Sequence, residues 1–598
     1  MSDAIFKKNL SVVVKRNAHL AKRLVNEPIP NELKLLKTNS RYPTLGLDLQ
    51  GKIAYFHTRD NPVKEAKAQF ESYQKDPTVN ICALGIGLGY HVAELANHLL
   101  KDNYVIIVEQ YLPIFKLALM TVDLTAILAN KHCMFFVDAR PEHIFEALKM
   151  QIFHIANNRM VFLRHDTSCL LFADYYNKVE SGIKDLIHWG KTNFAAGVKF
   201  RYKYQENIFK NAPFFFSRPG IDHIEDEFYN VPAIIVAAGP SLEKNVEQLK
   251  QAKGKALIIS VDTAIRPLLD RGIEPDLAIA IDPHIENFMH FKRVSNEELD
   301  FMRIVLDPQA YFEIAPKYPD RVLLAPLNGS ILLDWMNTFV KKRCFLDKGM
   351  SVAHSAFSLA NMLGCDPIIF VGLDLSFRED ATHIKGAANF KDTLEDRKLR
   401  RVKGLLGGEV LTDDVFFAYI RHFEVEFSKA SCKVINSTEG GAFIDGMEII
   451  PLKEAMERFL NEEYNIKNTL LNEPDVRFNR EKFLEAVDVL LENIDWAGKN
   501  LKQALDSEDE GIDRVRRLKS AYNQLKEKRL LMNLAEENIE EAAFLLTIRQ
   551  IWHKEGQSQI ESDIGKLELY IKQFLKSLDF IEKNVKQLRD ELLAGVDS

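Results

Sequence analysis

Two regimes of apolar patterning divide the chain. From about residue 79 to residue 451, short apolar runs of strand length end abruptly at small or acidic residues, whereas beyond Leu452 apolar residues recur every three or four positions. The first regime is clearest over residues 231–283. Runs at 233–237, 256–261 and 277–281 stop at Gly239-Pro240-Ser241, Asp262-Thr263 and Asp282-Pro283. Helix-period segments at 242–253 and 265–270 lie between them, closed by Gly254 and Gly272, the residue type usual just past a helix end. Strand, turn and helix in this order predict a βαβαβ unit with a parallel sheet, and such sheets bind ligands beyond the carboxyl ends of their strands.

The same grammar appears on both sides of this unit. Residues 79–84 predict a strand, Gly85, Gly87 and Gly89 a glycine-rich turn, residues 90–100 a helix, and Glu109 ends the next strand. A glycine turn lets backbone N–H groups approach a ligand, and an acid at the second strand end can hold a ribose hydroxyl pair. The alternative is that the glycines only permit close strand–helix packing; the motif is short and leaves both open. Upstream, residues 1–40 read as an amphipathic basic helix and a loop, and 44–58 as a hairpin turning at Gln50-Gly51. Strands at 134–137 and 160–163 follow, then a basic, aromatic stretch at 199–210 expected to be a solvated linking helix.

Downstream, the strand at 321–327 runs into Asn328-Gly329-Ser330, and a turn with Lys348, Gly349 and Ser351 opens a small-residue helix carrying His354. The strand at 367–371 runs into Gly372-Leu373-Asp374, and that at 433–435 into Asn436, Ser437, Thr438, Glu439, Gly440 and Gly441. Polar clusters repeated at one edge of a sheet point to an elaborate binding site. After residue 452 glycine nearly disappears, and three or more long amphipathic helices with breaks near 506–510 and 556–557 predict a bundle. The expectation is an α/β protein with three parts: a Rossmann-like domain (1–212), a central mostly parallel α/β domain (213–451) and a helical C-terminal domain (452–598).

Composition narrows the class without naming it. A chain of 598 residues with 46% hydrophobic and 27% charged residues has ordinary globular proportions, and its length predicts several domains. A formal net charge of -7 argues against a general nucleic-acid binder. The six cysteines are scattered without CxxC spacing, as expected of reduced thiols rather than a zinc site or disulfide framework. The first residues break their apolar positions with charges, unlike a signal peptide, and no apolar run approaches the ~20 residues that span a bilayer. No membrane insertion and a cytoplasmic location are expected.

Four motifs in order carry a resemblance. GPSL after a strand (239–242), KGMSVAHSA (348–356), FVGLDLSF (370–377) followed by HIKG (383–386), and NSTEGGAFIDG (436–446) together resemble the motility-associated factor (Maf) glycosyltransferases of flagellated bacteria. The LGIGLGYH turn and the helical C-terminus match that family's layout as well. The central domain is similar to bacterial sialyltransferases, whose GNGPSL turn is represented here without its Asn, as Ala237-Ala238-Gly239-Pro240-Ser241. The resemblance implies transfer of a nonulosonic acid (pseudaminic or legionaminic type) from a CMP-activated donor to Ser or Thr of flagellin.

Such a reaction needs phosphate contacts, a nucleoside pocket, a group for the sugar carboxylate and a base for the acceptor hydroxyl. The turn Gly239, Pro240, Ser241 is the expected phosphate site, with Gly349, Ser351 and Gly440 offering further turns of the same kind. Asp262, Asp282 and Asn436 suit ribose hydroxyls or the base edge; Thr263, Asn328, Thr438 and Glu439 complete the donor rim. Lys348 or Lys385 would pair with a carboxylate or phosphate. His383, on the loop after Asp374, is the expected base, with His354 as its competitor or as a packed, positioning residue. No cofactor is required, and metal dependence and self-association stay open. Two other readings remain. Asp262, Asp282 and Asp374 would hold Mg²⁺ in an ATP-dependent enzyme resembling an archaeal pterin pyrophosphokinase, or the chain would be a non-catalytic flagellin-binding scaffold.

Overall fold

The computed structural model describes residues 2–70, 79–98, 103–149, 151–156, 158–341, 343–347, 349–377, 383, 387, 399–539 and 560–594. The chain forms two compact units, residues 1–196 and 197–598. Among the described residues no helix is long and apolar enough to cross a membrane.

In the first unit the N-terminal helical segment is two helices, Ser2–Arg16 and Ala18–Asn26; Asn17 separates them and caps the second by accepting from the Leu20 N–H. A hairpin sheet follows, β1 (Leu33–Leu36), β2 (Thr44–Leu49) and β3 (Lys52–Tyr55), turning at Gln50 and Gly51, both at positive φ. A four-stranded parallel sheet forms the centre, from β4 (Val79–Leu84), β5 (Val105–Glu109), β6 (Cys133–Val137) and β7 (Arg159–Arg164) in the order β6-β5-β4-β7. Strands β4 and β5 are buried at every position, which explains why they are apolar but for Asn80 and the terminal Glu109.

The second unit is built on one eight-stranded sheet. Its members are β8 (Ala233–Val236), β9 (Leu257–Val261), β10 (Leu277–Ala280), β11 (Arg303–Leu306), β12 (Val322–Leu324), β13 (Ile368–Val371), β16 (Val434–Asn436) and β17 (Glu448–Ile449). They lie in the order β12-β11-β10-β9-β8-β13-β16-β17, every pair parallel. Strand order reverses between β8 and β13, so the crevice at their carboxyl ends is the topological switch point. A separate antiparallel pair, β14 (Leu399–Lys403) and β15 (Glu409–Asp413), precedes the helix Asp414–Phe427.

Three local expectations need correction. The segment after Ser241 is not an α-helix but two 3₁₀ stretches, Pro240–Lys244 and Val246–Ala252. Its apolar residues Leu242, Val246, Leu249 and Ala252 are buried at the predicted spacing. Asn245 breaks the helix: its amide is held by Ser437 O and the Glu439 carboxylate, and its backbone leaves the helical region. The stretch at 199–210 is not solvated along its described side chains. It belongs to the helix Ala173–Ser217, in which Gln205, Asn207, Ile208 and Phe209 are buried. The run predicted at 321–327 joins the sheet only over β12, with Leu327 bridging Leu346 instead, and Arg303–Leu306 adds a strand that the turn pattern did not announce.

The C-terminal helices Arg480–Leu505, Gly511–Leu525, Arg529–Glu537 and Ile560–Ala594 bury their apolar faces in a core shared with β10, β11 and β12. The expected break at 506–510 is present, whereas that at 556–557 lies outside the described residues. Phe483 sits in this core against Phe216, Trp335 and Phe339.

Candidate active site

In the first unit the chain's own side chains occupy the space above the glycine turn. Gly85, Gly87 and Gly89 all have positive φ, conformations for which glycine is suited. A Cβ at Gly87 would lie 2.6 Å from His57 Nε2 and 2.8 Å from His165 Nε2, and one at Gly85 would lie 2.4 Å from Ser168 Cβ. His57 Nε2 accepts from the Leu88 N–H at 2.8 Å, and the His91 ring stacks on His165 with centroids 5.5 Å apart. Glu109 is fully buried: its carboxylate accepts from Ile86 N–H (2.9 Å), Tyr111 N–H (3.0 Å) and Tyr176 O–H (3.3 Å). The acid that the spacing offered to a ribose therefore braces the turn from inside. Burial pushes its carboxyl up to about 7 and holds His91 down to about 3 and His165 down to about 4.

In the second unit the residues expected at the sheet edge fall into separate groups. At the switch point, Asp374 after β13 meets the turn after β8. Its carboxylate accepts from the Ser241 N–H at 3.0 Å and from the Ser241 hydroxyl, and Gly239 N–H donates to Gly372 O. The donors expected to face a phosphate are thus engaged within the fold, those of Ser241 by Asp374 and that of Gly239 by Gly372 O. Gly441, at positive φ, packs directly on this group, where a Cβ would come within 2.4 Å of the Asp374 backbone. Beside it, Thr438 Oγ1 accepts from Leu373 N–H, and Asn436 Oδ1 accepts from Thr438 N–H. Lys244 Nζ donates to Glu439 O at 2.7 Å, next to Gly440.

The second group is a pair of carboxylates. Asp262 after β9 and Asp282 after β10 are joined by one amide: Asn287 Nδ2 donates to Asp262 Oδ2 at 3.1 Å and to Asp282 Oδ2 at 2.7 Å. Burial raises Asp262 to about 6; burial and the neighbouring Asp262 raise Asp282 to about 7. Two tyrosines feel the pair's charge. Tyr204 is raised to about 12 by burial and by Asp282 and Asp307, and Tyr419 likewise by burial and by Asp282 and Asp413. The helix Ala173–Ser217 also clamps the loops behind these strand ends. Asn207 Nδ2 donates to Pro283 O and Gln309 O, and Asn211 Nδ2 to Pro308 O and Ala310 O.

Asp282 and Asp374 stand three strands apart along one edge, roughly 14 Å at the usual strand spacing. Asn328 lies farther along and donates to Asp347 Oδ1; Thr263 donates its N–H to Asp262 Oδ1. Ser351 and His354 pair with each other, Oγ to Nδ1 at 2.7 Å, under Gly349, and the His354 ring is fully buried against Phe423. His383 is half-buried, while Lys348, Lys385 and the rest of 380–386 lie outside the described residues. Asn287, Tyr204 and Tyr419 were not singled out from the sequence. Asn287 alone left a signal, a polar residue five positions after Asp282 in the first turn of the helix Ile285–Lys292.

Two parallel sheets, the larger bearing paired acids at its carboxyl edge, define an α/β protein with a candidate ligand site at that edge. A family model described as "Glycosyltransferase Maf N-terminal domain" matches residues 78–181, and one described as "6-hydroxymethylpterin diphosphokinase MptE-like" matches residues 206–380. A solved structure, "Structure of MAf glycosyltransferase from Magnetospirillum magneticum AMB-1", is similar at TM-score 0.55 and 13% identity, covering 100% of this chain and 96% of that one. Residues 78–181 are thus similar to the N-terminal domain of Maf glycosyltransferases, and the fold of the chain is similar to that of the Magnetospirillum structure. An "Uncharacterized protein" of Treponema pallidum (strain Nichols) is 43% identical over 51 residues, which span 8% of this chain and 24% of that relative.

Proposed function

We propose that the chain is a glycosyltransferase that moves a nonulosonic acid of the pseudaminic or legionaminic type from a CMP-activated donor to Ser or Thr of flagellin, in the cytoplasm. Its relation to the Maf glycosyltransferases supports the transferase class. One observation carries the chemistry: the Asp262–Asp282 pair, joined by Asn287 at the carboxyl edge of the sheet.

An acceptor hydroxyl must lose its proton as the glycosidic bond forms, and the best base has a pKa near the working pH. Asp282, raised to about 7 in a pair that holds one proton near neutrality, meets that requirement. The donor's sugar would then approach over β9 and β10. Its nucleotide phosphate would lie toward Lys244, between the Gly239–Ser241 turn, whose own donors are engaged, and the turn at Gly440. In this reading Asp374 fixes the first of those turns through Ser241, and His354 fixes Ser351. His383 remains the alternative base.

The experiment combines purified chain, flagellin and CMP-nonulosonates, and reads the mass of the acceptor. A mass increase that Asp282→Asn abolishes and His383→Ala leaves intact supports Asp282 as the base; the reverse pattern moves the role to His383. No increase with any donor of the class overturns the reading. The match of residues 206–380 to the pterin diphosphokinase model favours one second reading, ATP-dependent diphosphoryl transfer with Mg²⁺ at the same acids. Calorimetric binding of ATP with Mg²⁺ in preference to CMP would establish it.

A further inference from the structure

A different cluster lies between the helices Val352–Met362 and Asp414–Phe427, next to the backbone carbonyl of Tyr419. His422 and Glu426 are one helical turn apart, which puts both side chains on one face. His354, from the other helix, sets its ring edge against His422 with centroids 4.7 Å apart. One ligand atom from each of the three lies within 4.8 Å of the others. Ligands of a tetrahedral ion stand roughly 3.3 Å apart, so rotations of the His422 and Glu426 side chains would close the set.

We propose that His354, His422 and Glu426 bind one divalent cation of the zinc class, clasping these two helices together. Two imidazoles and one carboxylate are a donor set that zinc takes readily, with the fourth position open to water or to Tyr419 O, which borders His354 Nε2. The carboxylate has an unmet need: Glu426 Oε1 lies 3.3 Å from His422 Nε2, while Oε2 is buried with no hydrogen-bond partner among the described residues. A buried carboxylate oxygen without a partner is costly, and a cation removes that cost.

The orientation of His354 fits the same role. A ligating imidazole normally donates its other N–H to a neighbouring oxygen. Nδ1 stands 2.7 Å from Ser351 Oγ, leaving Nε2 as the ligand atom. Nε2 now lies 3.2 Å from Tyr419 O; on metal binding its proton moves to Nδ1, which then donates to Ser351. The ring is held face-on by Phe423, 3.6 Å between centroids, so it is already fixed before an ion arrives. The side chains of His422 and Glu426 keep 12% and 19% of their surface exposed, which gives the ion a way in.

The test uses the full chain, stripped with a chelator and titrated with Co²⁺ alone. One equivalent should bind with the visible absorption of a four-coordinate site, and Zn²⁺ should displace it. His422→Ala and Glu426→Gln should each weaken binding by roughly 100-fold, and Ser351→Ala by roughly 10-fold. Each metal-free variant should retain the thermal midpoint of the metal-free parent within a few degrees. Glu426→Gln keeps the shape of the side chain, so it reports on ligation even where the histidine variant unfolds. A parent chain that gives no such absorption overturns the proposal, as does Co²⁺ binding that survives the two substitutions together.

Discussion

At the scale of single residues, the Asp262–Asp282 pair ties stability to activity with opposite signs. An unfolded aspartate loses its proton near 3.8, whereas Asp282 in the fold keeps its proton up to about 7. Between those values the folded chain binds more protons, so the pair's contribution to stability falls as pH rises through that window. Replacing Asp282 with Asn removes the titration while keeping the contact with Asn287. The variant is expected to be more stable than the parent at pH 8, by on the order of 2 kcal/mol, with the gap closing toward pH 4. Denaturant unfolding at the two pH values measures it, and equal gaps would count against a buried titrating pair. In the same variant transfer should drop at least ~100-fold, the scale of a lost general base. The acids themselves were legible, because a strand that ends in Asp is visible in one dimension. Asn287, Tyr204 and Tyr419 were not: each reaches the pair from another element, and no spacing rule encodes that approach.

At the scale of an element, the glycine turn of the first unit shows how a motif can be read correctly as a backbone shape and still leave its occupant open. Strand, turn, helix and terminal acid all stand where the sequence put them. What fills the crevice comes from His57 on the preceding hairpin segment and His165 after β7, both distant in sequence. Burial holds all three imidazoles of this cluster below their ordinary value near 6.5. An unfolded histidine takes up a proton below that pH and these do not, so their contribution is complete above 6.5 and is lost as pH falls. Between pH 6.5 and 5 His91 and His165 would each cost about 2 kcal/mol, and His57 acts in the same direction. Glu109, raised to about 7, works in the opposite direction and offsets roughly one of the three. Amide exchange across residues 85–91, corrected for its intrinsic pH dependence, should therefore lose protection from pH 7 to pH 5. Glu109→Gln should steepen the loss and His91→Phe should flatten it. Protection that does not change with pH would mean that the imidazoles are not held neutral by the fold. The 3₁₀ winding after Ser241 follows the same logic, since the burial period was legible and the tether on Asn245 was not.

At the scale of the whole molecule, the amphipathic C-terminal helices were plain in the sequence, but the surface they cover was not. Periodicity gives a helix an apolar face without saying what lies against it. Here that face meets β10, β11 and β12, the strands that carry Asp282 and the clamped loops beyond it, and both belong to one core. Phe483 is the test position. It is fully buried, with its ring 4.7 Å from Phe216, 5.3 Å from Trp335 and 5.2 Å from Phe339. Phe216 ends the helix that also supplies Asn207 and Asn211 to the site. Phe483→Ala should destabilise the second unit by about 3–5 kcal/mol, the cost of a cavity where a buried aromatic ring stood. Because the helices and the sheet share one core, the loss should appear as a single transition shifted to lower denaturant, with the C-terminal helices and the sheet unfolding together. Removing residues 480–598 should go further and leave 197–479 unable to unfold cooperatively, since the face over β10–β12 would be open to water. If the truncated chain instead unfolded in one transition at the parent's midpoint, the helices would be an appended bundle and not part of the second unit's core. That result would also remove the route by which the C-terminal helices hold the candidate site in place.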